Sequence, residues 1–257
     1  MESILATDEP AAVEVREADG AFVIVCEHAS NRIPKSLGSL GLDAAALRRH
    51  IAWDPGAVEV ARGLADRLKS ALVTQPYSRL VIDCNRDPAL ADAVTDFSED
   101  TPIPGNAGLS SEEKSSRIGE VWSPFHAALG SLLDRRASSG LNSILVTVHS
   151  FTPVYRGVAR PWHVGIISTE DRSLSDAMLE RLRQDAALTV GDNEPYSAKD
   201  NVDYTIRRHG LDRGLPHVMI EIRNDLLASA GDREAWADRL AGILSLLEPA
   251  VLADRVV

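Results

Sequence analysis

Phe22-Val23-Ile24-Val25-Cys26-Glu27-His28-Ala29-Ser30-Asn31 is the stretch from which this chain is best read. A short apolar run, rich in β-branched residues, breaks off into Glu, His, Ser and Asn. Such a run reads as a strand buried on both faces, the habit of parallel sheets. In open α/β sheets the chemistry gathers beyond the carboxyl ends of the strands. Glu27 and His28 stand at such an end and are candidates for a metal or acid–base site. The plainer reading is a strand end with a hydrogen-bonded histidine.

The pattern recurs along the chain. Residues 71–74 read as a short strand, and Leu80-Val81-Ile82-Asp83 is an apolar run that breaks into Cys84-Asn85-Arg86. Ile144-Leu145-Val146-Thr147-Val148 ends in His149-Ser150, residues 162–167 form a further strand, and His217-Val218-Met219-Ile220-Glu221-Ile222-Arg223 buries a carboxylate among apolar neighbours. Helical patterns lie between them. Asp54-Pro55 opens an amphipathic helix with Ala57, Val60, Ala61, Leu64, Ala65 and Leu68 on one stripe. Asp43 is an N-cap for a short helix through Ala46 to Arg49. Ser110-Ser111-Glu112-Glu113 is a capping box heading a long helix that Pro124 is expected to kink. Residues 174–188, 202–209 and 234–247 also read as helical. Residues 89–109 carry few periodic signals and several Pro and Gly, and a loop of that length suits a segment covering a site. Strands alternating with helices, without repeats or linkers, predict one doubly wound α/β domain over residues 1–257, its first 20 residues a loose leader.

Composition narrows the class. With 257 residues, 44% hydrophobic and 25% charged, the chain has ample material for a core. A net charge of −11 argues against nucleic acid or an anionic membrane as partner, while local Arg clusters still allow a small anionic substrate. Cys26 and Cys84 both fall in expected strands and read as buried thiols. No apolar run approaches the roughly 20 residues of a membrane span. The acidic first 20 residues lack the basic-then-apolar order of a signal peptide, so a cytoplasmic enzyme is expected.

Strands that end at one sheet edge bring their endings together. Here those endings supply two histidines, several carboxylates and two arginines. Zinc in a catalytic site takes three protein ligands, often His and carboxylate, and keeps one position for water. A neighbouring carboxylate then serves as general base and an arginine holds the anion.

Four segments together resemble the N-formylglutamate amidohydrolase family: Glu27 to Asn31, Trp53-Asp54-Pro55-Gly56-Ala57, Ser78 to Arg86, and Tyr204 to Gly210. The resemblance spans residues 20–230. It implies a three-layer α/β/α fold with a mostly parallel central sheet, similar to zinc carboxypeptidases and aspartoacylase-type deacylases (a phosphorylase/hydrolase-like arrangement). It also implies zinc or another divalent metal. The implied activity is amide hydrolysis of a small anionic N-acyl amino acid, N-formyl-L-glutamate giving formate and L-glutamate, a reaction of histidine degradation. The peptidase-like pattern runs His-x-x-Glu, Asp-x-Asn-Arg, His-Ser, then Glu before an apolar residue and Arg. His28, Asp83-Cys84-Asn85-Arg86, His149-Ser150 and Glu221-Ile222-Arg223 follow it in order.

The resemblance thus implies His28 and His149 as metal ligands, Glu221 as general base, and Asn85 with Arg86 at a substrate carboxylate. A dicarboxylate needs a second cation from among Arg156, Arg160, Arg207 and Arg208, of which Arg160 and Arg208 are carried forward. The pattern breaks at Asn31, where Glu is expected. Asp54 then becomes the acidic ligand, in competition with an ordinary helix N-cap, and Glu27 is the fallback. A carboxylate as buried as Glu221 is costly unless it works or pairs, here with Arg223. His163, His209 and His217 read as packing or surface residues, and His50 and His126 have no supporting pattern. Two alternatives stay open: a related zinc peptidase or amino-acid deacylase, and a non-catalytic binder of an anionic amino acid.

Overall fold

The computed structural model describes residues 3–197 and 203–253. A seven-stranded sheet runs through it, built from β1 (Glu14–Arg16), β2 (Phe22–Cys26), β3 (Ala71–Thr74), β6 (Ile144–Phe151), β9 (Val164–Ile167), β10 (Val190–Asp192) and β11 (His217–Arg223). Two small hairpins lie outside it, β4 (Phe97–Ser98) with β5 (Thr101–Pro102) and β7 (Val154–Tyr155) with β8 (Val158–Ala159). The sheet order is β1-β3-β2-β6-β11-β9-β10. The central strands β3, β2, β6 and β11 are mutually parallel, β1 and β9 join antiparallel, and β10 is parallel to β9.

Alternation along the strands builds the layers. Phe22, Ile24 and Cys26, with Val146, Val148, Ile220 and Ile222, face helices α1 (Ala57–Arg67), α4 (Ser173–Arg183) and α5 (Ala230–Ala253). Val23, Val25, Leu145 and Met219 face the other way, onto Phe125, Leu129 and Leu132 of α3 (Ser123–Ser138). Helices on both faces of a mostly parallel sheet make the α/β architecture that the sequence implied. On the same parity as Leu145 and Met219 come His149 and Glu221, which are direct partners across the β6/β11 register. From β2 the chain crosses to β3 on one side and later returns as β6 on the other. The crevice where these connections diverge is the usual place for a ligand in an open α/β sheet.

Several elements differ from the sequence reading. The run Leu80-Val81-Ile82-Asp83 is buried but is not a strand, so Cys84 does not lie in one either. Side chains replace the ladder there: Arg117 donates to the Val81 carbonyl at 3.0 Å and Asn106 to that of Leu80 at 2.9 Å. The Asp83 amide donates to Ala93 O at 2.8 Å. The long helix is divided by a π-helical turn at Ile118–Trp122, between α2 (Ser111–Arg117) and α3, rather than kinked at Pro124, which sits harmlessly in the first turn of α3. Residues 89–109 contain the β4/β5 hairpin and short 3-10 turns. The last helix is longer than expected, and α4 ends at Arg183 instead of 188. Within the stretch read as a leader, Glu14–Arg16 pair with β3 as an edge strand. Val202, the expected start of a helix, lies outside the described residues, and a π-helical turn occupies Ile206–Gly210. Both cysteines are buried and free. Among the described residues no helix is long and apolar enough to cross a membrane.

Candidate active site

A cleft of about 370 Å³ opens at the carboxyl ends of β2 and β6. His28 enters from the turn after β2, His149 from β6, and Asp54 from the turn leading into α1. That turn is tight: Gly56 takes φ 81°, and a Cβ there would lie 2.6 Å from Leu227 Cβ, so glycine is required. Gly56, not Asp54, occupies the N-cap of α1, and no side chain caps that helix. The competing N-cap reading of Asp54 is thereby removed.

The Asp54 carboxylate turns into the cleft instead. Its Oδ2 lies 3.2 Å from His28 Nδ1 and 2.9 Å from His149 Nδ1, and the two Nδ1 atoms are 3.2 Å apart. These three donors, all buried, form the one His/Asp/His group among the described residues whose ligand atoms come within metal-binding reach of each other. A tetrahedral zinc with bonds near 2.0–2.1 Å spaces its ligand atoms about 3.3 Å apart, so the triangle fits such an ion. Protons alone fit it poorly, because two ring nitrogens and a carboxylate oxygen meet at one point.

Each imidazole is backed by a second carboxylate. His28 Nε2 donates to Asp83 Oδ1 at 2.8 Å, and His149 Nε2 lies 3.1 Å from Glu27 Oε2. A carboxylate behind a histidine keeps the proton on that far nitrogen and leaves Nδ1 free as a ligand. The fallback reading of Glu27 as ligand is not what the geometry gives, since Glu27 meets the far nitrogen of His149. Burial opposes ionisation of Asp54 and Asp83, but the adjacent imidazoles, with Arg79 in the case of Asp83, outweigh it and hold both well below the usual carboxylate range. Burial likewise pulls His149 down, and the Glu27 and Asp54 carboxylates raise it well above an ordinary histidine.

Glu221 lines the same cleft, 5% exposed, with Oε2 buried and without a hydrogen bond. Burial, reinforced by the Asp54 charge, pushes its carboxyl up to about 7 against the pull of His149. It does not pair with Arg223, whose guanidinium engages Asp225 at 2.8 Å.

The remaining candidates divide. Asn85 and Arg86 line the cleft. The Asn85 Oδ1 accepts the Thr205 amide at 3.0 Å, and Arg86 is paired with Asp92 at 2.6 Å. Arg160 is buried just behind the cleft wall, 4.5 Å above the Tyr155 ring and 4.9 Å above Tyr196. Arg208 stands apart from the cleft: its exposed side chain faces Asp212 at 3.6 Å and is not among the residues that line it. It belongs to a π-helical turn whose inward face is taken by Ile206 and His209.

The sequence reading passed over His50 and Arg79, and missed the orienting roles of Asp83 and Glu27. His50 donates to the Ser150 carbonyl at 2.6 Å and lies 3.2 Å from Asp54 Oδ1. Arg79 bridges Asp54 and Asp83 at 3.4 and 2.9 Å, while Asp83 and Glu27 orient the histidines. Arg79 and Asp83 sit inside the Ser78 to Arg86 segment already singled out, but their pairing is tertiary. His50 precedes Asp54 by four residues in irregular chain and carries no periodic signal.

A charged cleft at a sheet edge, with a donor triangle beside a buried glutamate, is the layout of a hydrolase. Residues 20–228 match the N-formylglutamate amidohydrolase family, and the chain belongs to that family of hydrolases acting on amide bonds. The N-formylglutamate deformylase of Pseudomonas putida is 26% identical over 198 residues, 66% of this chain and 73% of the relative. A gene product of Agrobacterium tumefaciens of known crystal structure is 42% identical, with a TM-score of 0.94 over 96% of this chain and 99% of its own. The N-formylglutamate amidohydrolase of Ralstonia eutropha shares the fold at 20% identity and a TM-score of 0.65, over 95% of this chain and 100% of its own.

Proposed function

We propose that this chain is a divalent-metal hydrolase, zinc first, that cleaves the amide bond of N-formyl-L-glutamate to formate and L-glutamate. The observation carrying this reading is the triangle of His28 Nδ1, His149 Nδ1 and Asp54 Oδ2, with Glu221 in the same cleft. His28, Asp54 and His149 would hold the ion. Four buried carboxylates (Glu27, Asp54, Asp83, Glu221) against the two guanidinium groups of Arg79 and Arg86 suit a dication. When bound, the metal polarises the formyl carbonyl and acidifies a water.

The chain's own residues do the rest. Glu221 takes the proton of the attacking water and delivers it to the leaving amine nitrogen, and its burial suits it to both roles near neutral pH. Asp83 and Glu27 hold the two imidazoles in the ligating tautomer and orientation. Asn85 and Arg86 orient the substrate through one carboxylate, for which a guanidinium offers paired donors. Such positioning converts attack on a bound amide into an effectively unimolecular step.

The test is metal content of the purified protein together with formate release from N-formyl-L-glutamate, before and after chelation. About one divalent ion per chain, with activity lost on chelation and restored by zinc, is expected. Metal without formate release would redirect the reading to another N-acyl amino acid. Protein that stays metal-free in excess zinc would refute it.

A further inference from the structure

The segment that leads to Arg86 is buried from Leu80 to Asn85 without belonging to a strand, so its backbone must find partners elsewhere. Two π-helical turns hold it from behind. Three successive carbonyls each receive a donor: Cys84 from His126 Nε2 at 2.9 Å, Asn85 from the Tyr204 amide at 3.4 Å, and Arg86 from Trp122 Nε1 at 3.0 Å. The Asn85 side chain is gripped as well, its Oδ1 accepting the Thr205 amide at 3.0 Å.

The first turn, Ile118–Trp122, lets one helix face supply most of these donors. Arg117, which serves the Val81 carbonyl, stands five residues before Trp122. On a regular α-helix those positions lie about 140° apart around the axis. Here the Ser123 amide donates to the Ile118 carbonyl five residues back, and the wider turn brings Trp122 round to the side of Arg117. His126 follows four residues later on α3, on the face of Trp122. The second turn, Ile206–Gly210, docks onto the first through rings. Tyr204 lies 5.3 Å from Trp122 and 5.1 Å from His126, and His209 stacks on His126 at 5.2 Å. Because His126 Nε2 donates to Cys84, its Nδ1 accepts from His209 Nε2 at 3.0 Å. Hydrogen bonds thus run from the second turn through the first to the loop.

We propose that the two π-helical turns form a cradle that positions Asn85 and Arg86, with Trp122 as the positioning residue for Arg86. This rests on the amide-hydrolase reading, in which Asn85 and Arg86 orient a substrate carboxylate, and deepens it. Trp122, His126, Tyr204 and His209 are not among the residues lining the cleft, so they act through the loop. Asp92 and Asp83 set the direction of the Arg86 guanidinium, at 2.6 and 3.5 Å, while the indole fixes the backbone from which it projects. A paired contact with a carboxylate is geometrically exacting, and a misplacement of about 1 Å is costly. The His28, Asp54 and His149 triangle draws on β2, β6 and the turn before α1, so Trp122 bears on substrate and not on metal. Tyr204 to Gly210, one of the four segments resembling the family, thereby gains a task outside the cleft.

The test is a double-mutant cycle on zinc-loaded protein, comparing wild type, Trp122→Phe, Arg86→Met and the pair with N-formyl-L-glutamate. Phenylalanine keeps a ring beside His126 and Tyr204 and removes the N–H. Trp122→Phe should raise KM about 3- to 10-fold, with kcat and zinc Kd each within about twofold of wild type. In the Arg86→Met background the same replacement should change KM by less than about twofold, because the group it serves is gone. An unmoved KM, an equal effect in both backgrounds, or a loss shared by kcat and zinc affinity would overturn the proposal. Should Trp122→Phe not fold, His126→Phe, which strips the donor from Cys84, is cycled against Asn85→Ala with the same outcomes decisive. If the wild type releases no formate, the proposed reaction fails, and the cycle is read from glutarate Kd by calorimetry. A weakening of about 3- to 10-fold by Trp122→Phe that vanishes with Arg86→Met sustains the cradle. No glutarate binding by the wild type, or equal weakening in both backgrounds, overturns it.

Discussion

Replacing Asp83 by asparagine isolates the part of the site that the proposed metal would not touch. The Asp83 carboxylate, 4% exposed, accepts His28 Nε2 at 2.8 Å through one oxygen and Arg79 at 2.9 Å through the other. Asparagine keeps the volume and one acceptor. It loses the charge that fixes the proton on Nε2, and either its amide or its carbonyl must face the wrong partner. If the oxygen stays with His28, an NH₂ group points at the Arg79 guanidinium. If it turns to Arg79, the NH₂ faces Nε2 and favours the tautomer that protonates Nδ1, the ligating atom. Loss of such an orienting carboxylate costs about 10- to 100-fold in metal affinity, or about 1.4–2.7 kcal/mol. The assay is competition between the protein and a chromophoric chelator for zinc, run on wild type and Asp83→Asn. Thermal melting of the zinc-free proteins serves as a fold control. With zinc in excess, most of the formate-releasing activity should return, because the three ligands and Glu221 are intact. A zinc Kd within twofold of wild type in a folded Asp83→Asn protein would refute the argument that this carboxylate tunes His28.

Two other outcomes follow from the same geometry. Glu221→Gln should lower kcat by about 10²- to 10⁴-fold while zinc content stays at the wild-type level, measured by formate release alongside metal analysis. A variant that keeps full activity would remove Glu221 from proton transfer. Acid stability should depend on a second histidine pair away from the metal triangle. His126 Nε2 donates to the Cys84 carbonyl at 2.9 Å, and its Nδ1 lies 3.0 Å from His209 Nε2, while His209 Nδ1 is buried without a partner. Both rings are thus held neutral, and burial pushes their pKa values down to about 4 and about 3. The unfolded chain, with histidines near 6.5, binds more protons than the folded one below that pH. Their contribution is therefore complete above about pH 6.5 and declines as pH falls towards the folded values, by about 2 kcal/mol for each ring at pH 5. Urea unfolding at pH 7.5 and pH 5 should show this decline in wild type and a shallower one in His126→Gln/His209→Gln. Identical declines would refute it.

How much of this could be read from the chain varied with the kind of signal. His149 and Glu221 were legible because both lie in strands whose apolar period announces burial, and a titratable residue in such a run stands out. Arg79, His50 and the orienting roles of Glu27 and Asp83 were not. Each of these acts through a partner brought close only by the fold, as His149 and Glu27 are, 122 positions apart in number yet 3.1 Å apart in space. The apolar run at Leu80 to Asp83 was misleading for a related reason. Periodicity reports burial, and this segment is buried, but its backbone groups are satisfied by the side chains of Arg117 and Asn106 instead of a neighbouring strand. Arg208 looked useful because it stands in a segment resembling the family, yet adjacent positions of a helical turn face different ways, and Arg208 faces water.

The departure at Asn31 has a physical resolution. A ligand three residues after His28 would share its turn, and local chain geometry alone would set the spacing. Asn31 instead donates to the Leu47 carbonyl at 2.8 Å and ties down the loop between β2 and α1. The acidic donor comes from the far end of that same loop, where the Asp54 amide donates back to the His28 carbonyl at 3.0 Å. That bond, the Gly56 turn, His50 and the Ser150 amide at 3.3 Å from Asp54 Oδ2 together hold the carboxylate where the two Nδ1 atoms meet. In the proposed site the acidic ligand would thus come from a loop partner and not from a sequence neighbour. Its position depends on the loop being closed, and Asn31 is one of the residues that closes it.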